Sequence, residues 1–170
     1  MGNPILEVLE FDGERGAISF KGVRYLLIRP ETLVEFQKGL EERLGEEAQE
    51  ILYRGGFAGG HLSTKKYNET FGYGDDEIAQ FMMSMGTQIG WGNFKVEEFN
   101  PEEKRLIVTV ICSAFAEAYG RSTGPVCHMI RGVMAGMGHV LFGEDVASVE
   151  THCLAKGNDL CRFLIEAKSV

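Results

Sequence analysis

Residues 148–166 read SVETHCLAKGNDLCRFLIE, and this stretch predicts a β-hairpin that carries two thiols. Two β-like runs, 146–153 and 161–166, flank a segment that contains Lys-Gly-Asn-Asp, which is a strong turn signal. Folding back at this turn brings Cys153 and Cys161 towards the same place. We therefore expect antiparallel strands at this end of the chain, with the two cysteines close together.

The two thiols predict a metal site in which two further residues complete the ligand set. Zinc takes four N, S or O ligands in a tetrahedron, and thiolates are its preferred soft donors. The hairpin supplies Cys153 and Cys161, and the strand that leads into it supplies Glu150. Cys127 follows Gly-Pro at a predicted helix start and is the natural fourth ligand. The cofactor predicted from this pattern is Zn²⁺.

Several alternatives to this ligand set remain open. On a regular strand Glu150 and Cys153 point to opposite faces, so the site requires a bulge or a Cys153 that already lies in the turn. His128 and His152 are adjacent alternative ligands. The cysteines are otherwise small buried hydrophobes or, with unusual spacing, ligands of an iron–sulfur cluster. Three thiolates and a carboxylate also call for positive partners, for which the candidates are Arg131, Lys156 and Arg162.

Composition narrows the class of protein. The chain has 170 residues, of which 44% are hydrophobic and 25% charged, as expected for one soluble globular domain. Its net charge of −8 argues against a nucleic-acid binder that neutralises phosphates. The sequence has neither an apolar run of about 18 residues nor a signal peptide, so we expect a cytoplasmic protein that does not cross a membrane. In a reducing compartment four cysteines indicate metal binding or catalysis rather than disulfides.

The first part of the chain predicts strands followed by helices. Residues 5–11 (ILEVLEF) and 17–28 (AISFKGVRYLLI) have alternating or short apolar runs typical of strands. Pro30 begins a helix. A second helix runs from Glu46 into a glycine cluster at 55–60, which lacks the ending of a phosphate-binding loop. We interpret this cluster as a site of close helix packing or a hinge.

The second part predicts a sheet backed by helices. Two strands, 94–99 and 106–112, are joined by a turn, and Cys112 lies in an apolar run that predicts a core position. The helix after Cys127 contains three glycines, each of which costs roughly 1 kcal/mol relative to alanine. Such glycines favour close backbone approach or room for a ligand. The fold class predicted from these elements is α+β, with an antiparallel sheet packed against helices.

Several motifs resemble the 4-vinyl reductase domain family. They are SAFAEA at 113–118, GPVC at 124–127, RGVMAG at 131–136, LFG at 141–143, VExxC from Val149 and GxxxCRF from Gly157. The likeness is strongest after residue 110. Members of this family bind small molecules, alone or as sensor modules of phenol- and xylene-responsive transcription activators. One occurs in a bacteriochlorophyll-synthesis accessory protein.

The resemblance implies a fold similar to the Golgi-trafficking tether subunits, usually as a homodimer. It divides the chain into N-terminal strands at 1–24 and a ligand-binding domain at 25–170, both within one domain. It also implies zinc held by three cysteines and one glutamate, which fall here on Cys127, Glu150, Cys153 and Cys161. In the phenol sensors a histidine and a tryptophan bind the ligand hydroxyl. The one tryptophan here is Trp91, and His61 and His139 lie outside the corresponding segment, which argues against phenol.

These observations favour a stand-alone, zinc-containing domain that binds or senses a small hydrophobic ligand. The predicted pocket residues, which have plain core positions as their alternative, are Phe81, Met82, Met85, Trp91, Phe115, Met129, Val133 and Met137. A first alternative is an accessory protein or enzyme of tetrapyrrole vinyl-group reduction. However, the sequence has no dinucleotide fingerprint, and a zinc with four protein ligands has no open position, so we do not expect an enzyme. A second alternative is a structural or assembly subunit.

Overall fold

The computed structural model describes residues 3–168, which form six α-helices and seven β-strands. The helices are α1 (Pro4–Val8), α2 (Pro30–Leu44), α3 (Glu47–Phe71), α4 (Asp75–Gln88), α5 (Ala114–Tyr119) and α6 (His128–Phe142). The strands are β1 (Glu10–Asp12), β2 (Ala17–Phe20), β3 (Val23–Tyr25), β4 (Asn93–Asn100), β5 (Arg105–Ile111), β6 (Val146–His152) and β7 (Cys161–Ala167). The predicted α+β class is confirmed.

The strands form two antiparallel sheets. β1, β2 and β3 form a small sheet in chain order, and the four-stranded sheet has the order β4-β5-β7-β6. β6 and β7 are the C-terminal hairpin that the turn residues predicted. A short 3-10 helix, Leu154–Lys156, and Gly157 in the left-handed region (φ +93°) make its turn. The hairpin therefore follows from local turn chemistry.

Helix α6 lies between α3 and the four-stranded sheet and forms the centre of the core. Its residues Ile130 and Met137 are fully buried, as are Phe163 and Ile165 of β7. The face towards the sheet carries Gly138, where a Cβ atom would come 2.6 Å from the Ile165 side chain. The glycine-containing helix is thus held closely on both sides, against the sheet and against α3.

The α3–α6 contact consists of glycines that meet backbone. The distances at which an added Cβ would meet a carbonyl oxygen are 2.1 Å for Gly56 (Met129), 2.3 Å for Gly60 (Val133), 2.0 Å for Gly132 (Tyr53) and 2.2 Å for Gly136 (Phe57). Helix α3 continues without a break through this cluster. The interpretation as close packing is confirmed, and the alternative of a hinge is wrong, because both helices use the same glycines to approach each other.

The N-terminal prediction is partly wrong. Residues 4–8, which belong to the predicted strand 5–11, form helix α1. Asn3 caps this helix by accepting from the Leu6 N–H, and Pro4 occupies its first turn, where proline is tolerated. The Ile5 N–H donates to the Gln88 side chain at 2.8 Å, which anchors α1 to α4. Capping and this tertiary contact outweigh the alternating pattern of the segment.

Two further sequence features have a different environment from the one expected. Cys112 is exposed rather than in the core, because β5 ends at Ile111 and the chain turns at Cys112 with a left-handed φ of +54°. The boundary drawn at residue 24 falls within β3, and Phe20 of the preceding strand is part of the hydrophobic core. No helix within residues 3–168 is both long and apolar enough to span a membrane.

Candidate functional site

The structure brings the four predicted metal ligands together. One ligand atom from each of Cys127, Glu150, Cys153 and Cys161 lies within 4.8 Å of the others, and all four residues are buried. The Cys127 and Cys161 Sγ atoms are 3.7 Å apart. Zn–S bonds of about 2.3 Å in a tetrahedron place two sulfurs about 3.8 Å apart. The cluster therefore has the dimensions of a single tetrahedral metal site.

A β-bulge allows Glu150 and Cys153 to face the same cluster. The pairing of β6 with β7 shifts register between Glu150 and His152, and Cys153 lies just beyond the end of β6. Both devices that the sequence required are thus present. The alternative ligands lie outside the cluster. The His152 ring contacts the Thr151 hydroxyl, and the His128 Nε2 atom is 3.9 Å from Glu41.

The donor atoms of the cluster suit a soft divalent cation. Glu150 Oε2 accepts from the Cys127 N–H at 2.9 Å, whereas the buried Oε1 has no hydrogen-bond partner among the described residues. Burial, assisted by the Cys153 sulfur, raises the pKa of the Glu150 carboxyl to about 8. The Leu154 N–H donates to Cys161 Sγ at 3.3 Å. A buried acceptor without a partner next to three sulfurs is what a cation would satisfy.

The expected positive partners of the cluster lie elsewhere in two of three cases. Arg162 pairs with Glu97 at 2.8 Å on the surface of the sheet. The Arg131 guanidinium lies 4.9 Å from the centre of the Tyr53 ring. These two arginines therefore make their closest contacts away from the cluster, which leaves its negative charge to be balanced chiefly by the cation itself.

A buried polar network, absent from the sequence-based prediction, holds the segment that carries Cys127. Gln37 of α2 donates through Nε2 to the Val126 carbonyl at 3.0 Å and to Glu41 at 2.8 Å. The Tyr119 hydroxyl donates to the other Glu41 oxygen at 2.6 Å. Gln37 is only 4% exposed. Its position one turn after the buried Val34 on a predicted helix is the signal that could have identified it.

An apolar cavity of about 230 Å³ lies between α3, α4, α6 and the start of β4. Five of the eight predicted pocket residues line it: Met82, Met85, Trp91, Val133 and Met137. The other three do not. Phe81 joins an aromatic cluster with Tyr67, Phe71 and Tyr73, Phe115 packs edge-on against Trp91 at 5.0 Å, and Met129 lies at the α3–α6 contact.

The polar groups of the cavity come from residues that the sequence-based prediction missed. Tyr25, Ser63 and Tyr67 line it, and the two tyrosine hydroxyls hydrogen-bond each other. Within the described part of the chain, no Asp, Glu, Lys, Arg or His side chain lines the cavity. Burial raises the pKa of both tyrosines above the usual value of 10, that of Tyr67 further through its bond with Tyr25. The cavity is therefore uncharged over the physiological pH range.

The raised pKa values predict a stability that falls at alkaline pH. Above pH 10 the unfolded chain releases the Tyr67 proton while the folded chain keeps it, so the free energy of unfolding decreases as the pH rises. We expect Tyr67→Phe to flatten this decrease in urea melts between pH 9 and 11. The phenolate absorbance at 295 nm that Tyr67→Phe removes should develop above pH 10. An ordinary titration of this phenol near pH 10 would contradict the prediction.

Two family profiles together match most of the chain. A family described as activator of aromatic catabolism matches residues 5–102, more than half of the chain. The chain belongs to this family. The profile of the vinyl-4-reductase domain matches residues 106–167, which include the whole cysteine–glutamate cluster and helix α6. The predicted 4-vinyl reductase domain is thereby confirmed.

Relatives of this family cover the chain more fully than it covers them. The phenol regulator MopR of Acinetobacter guillouiae is 25% identical over 94% of this chain and 30% of MopR. An uncharacterised protein of Methanocaldococcus jannaschii is 31% identical over 42% of each chain. The chain therefore spans less than half the length of these curated relatives.

Solved structures confirm the expected fold. The phenol-responsive sensory domain of the transcription activator PoxR, solved with phenol, has a TM-score of 0.85 at 22% identity, over 96% of this chain and 87% of that domain. A trafficking protein particle complex subunit 3 from Naegleria fowleri, covalently bound to palmitic acid, has a TM-score of 0.59 at 12% identity, over 82% and 95%. A vinyl-4-reductase family protein from Methanocaldococcus jannaschii has 0.52 at 15%, over 87% and 100%. The predicted similarity to tether subunits is thus confirmed.

The cavity lies at the junction of the two matched regions of this activator family. Met82, Met85 and Trp91 belong to the first region, whereas Val133 and Met137 belong to the vinyl-4-reductase domain. Helix α6 connects the two parts of the site, because its N-cap is Cys127 and its middle lines the cavity.

Proposed function

We propose that the chain is a small-molecule sensor domain whose ligand occupies the apolar cavity, and that the cysteine–glutamate cluster holds a structural zinc ion. The observation that carries the proposal is an uncharged cavity, walled by methionines and one tryptophan, at the junction of two matched regions of an aromatic-catabolism activator family. Apolar pockets with a few polar groups are the usual form of a small-ligand site.

The size and charge of the cavity narrow the ligand to a neutral compound of about one ring. An engineered cavity of about 150 Å³ holds benzene, so 230 Å³ accommodates a benzene ring with a small substituent. A charged ligand would lose its hydration without gaining a counter-ion. MopR is a phenol regulator and the PoxR domain is phenol-responsive, which supports an aromatic ligand. Here, however, His61 and His139 stack near Phe57, outside the cavity.

Zinc at the cluster would supply a cross-link that holds the start of α6 to the C-terminal hairpin. Cys127 lies at the helix N-cap, and Glu150, Cys153 and Cys161 belong to the hairpin or its turn. Gln37 and Glu41 support the same segment from α2. Because Val133 and Met137 follow on α6, a firm helix start also keeps the cavity wall in place.

The alternatives are less well supported by these observations. The cavity lies below the range of about 300–1,000 Å³ typical of drug-sized ligands, and a tetrapyrrole is larger still. A zinc with four protein ligands also has no open position for catalysis. An assembly role rests on likeness of fold to a trafficking subunit, which is a weak argument for function. The homodimer and the cytoplasmic location stay predictions from the resemblance and the sequence.

Filling the cavity tests the proposed ligand site. We expect phenol or toluene at about 100 times its Kd to stabilise the unaltered chain by about 3 kcal/mol, visible as a rise in Tm of several degrees. Ser63→Phe should abolish this rise, because its ring takes up cavity volume. Ser84→Phe places the same ring on the exposed side of α4 and should retain it. Absence of any rise in the unaltered chain, or an equal rise in Ser63→Phe, would contradict the proposal.

A further inference from the structure

The hydroxyl groups of Tyr25 and Tyr67 form an isolated pair on the cavity wall. Each hydroxyl carries one proton, and the hydrogen bond between them uses only one of the two. Neither oxygen takes part in any other hydrogen bond among residues 3–168. Tyr67 is fully buried, and buried donors are normally satisfied. The pair therefore has one spare proton that requires an acceptor.

The position of this donor is set before any ligand arrives. The Tyr67 ring has Phe20, Phe71 and Phe81 around it, with ring centroids 5.8, 6.3 and 5.2 Å away. Tyr25 reaches the same point from β3 of the small N-terminal sheet. Because the rings are held from several sides, a ligand would meet a pre-oriented hydroxyl and lose little free energy in ordering it.

We propose that the Tyr25–Tyr67 pair donates a hydrogen bond to an oxygen atom of the ligand. The preferred class is then an uncharged single-ring compound that carries an acceptor oxygen, such as an aromatic ketone, aldehyde, ether or alcohol, over a hydrocarbon of the same shape. This inference rests on the proposed function, because it assigns a ligand class to the same cavity. The pair serves as a specificity-determining element that the cavity's apolar residues cannot provide.

Two other donors face the cavity, so the test has to separate them from the pair. Ser63 and Trp91 both line it and each has a polar hydrogen. Suitable probes are acetophenone and α-methylstyrene, which have the same shape but differ by a carbonyl oxygen in place of a methylene group. Tyr25→Phe/Tyr67→Phe removes both protons of the pair, whereas either single change would leave one hydroxyl able to donate.

We expect the ratio of acetophenone to α-methylstyrene affinity, measured by calorimetry, to fall about 3- to 10-fold in the double variant, the contribution of one neutral hydrogen bond. Tyr73→Phe, outside the cavity, should leave the ratio unchanged. If both probes bind and the double variant keeps the ratio, Ser63, Trp91 or a water molecule is the donor and the inference is wrong. If neither probe binds the unaltered chain, the proposed function itself fails.

A spectroscopic measurement on the unaltered chain serves if the double variant does not fold. The carbonyl stretch of bound acetophenone should lie below its value in a hydrocarbon solvent, because a hydrogen bond weakens the C=O bond. The lowered frequency should persist in Ser63→Ala/Trp91→Phe, which retains the tyrosine pair. A carbonyl stretch at the hydrocarbon value, or one that returns to it in this variant, would overturn the assignment.

Discussion

The Cys161→Ser protein is expected to bind no zinc and to lose more than about 4 kcal/mol of stability, which lowers Tm by about 10 °C or more. Cys161 is fully buried, and its sulfur lies 3.7 Å from that of Cys127. Loss of one ligand from a four-ligand structural site removes the cross-link between α6 and the hairpin. It also leaves the Glu150 carboxyl and two thiols buried without a cation, and uncompensated buried charge is strongly destabilising.

Elemental analysis and thermal melts of natively purified protein measure both effects. Cys112→Ser is the matched control, because Cys112 is exposed and lies outside the cluster, so its stability should change by less than about 0.5 kcal/mol. A strong chelator should destabilise the unaltered chain and have little further effect on Cys161→Ser. Native protein that contains no zinc, together with an unchanged Tm in Cys161→Ser, would rule out the structural metal site.

The Gly56→Ala protein is expected to be destabilised by about 3 kcal/mol or more. Its new Cβ atom would lie 2.1 Å from the Met129 carbonyl oxygen and 3.0 Å from the Val133 backbone nitrogen. Both contacts are with backbone, so no side chain can rotate away and α3 must separate from α6. Overpacking of this kind typically costs about 1–3 kcal/mol, and more where the backbone is the obstacle. Because Gly60 and Val133 of the same contact line the cavity, ligand binding should weaken as well.

The neighbouring glycine offers a control of the opposite sign. A Cβ atom on Gly55 would meet no atom within 4 Å, and Gly55 lies on the exposed side of the same helix. Gly55→Ala should therefore stabilise the chain by up to about 1 kcal/mol through helix propensity alone. Urea melts of the two variants measure the difference. Equal stability of Gly56→Ala and the unaltered chain would show that the close approach of α3 and α6 is not required.

Local patterns were reliable where the interacting residues are joined by a short, well-marked segment. The turn between Cys153 and Cys161 predicted the hairpin, and the alternation of side chains on a strand predicted that Glu150 needs a bulge. The same reasoning failed where tertiary contacts decide. The alternating pattern at 5–11 became helix α1 because Asn3 caps it and Gln88 anchors it. Cys112 is exposed because the chain leaves the sheet one residue earlier.

By itself the sequence determined the α+β class, the thiol-bearing hairpin and the glycine contact between two helices. These features depend on turn residues, periodicity and the absence of a Cβ atom, all of which are properties of short segments. The tertiary structure alone decided the character of the cavity. Tyr25 and Tyr67 are 42 positions apart, on a strand and a helix, and meet only after folding. A cavity is the volume that several elements leave between them, so no single segment's pattern encodes which side chains face it.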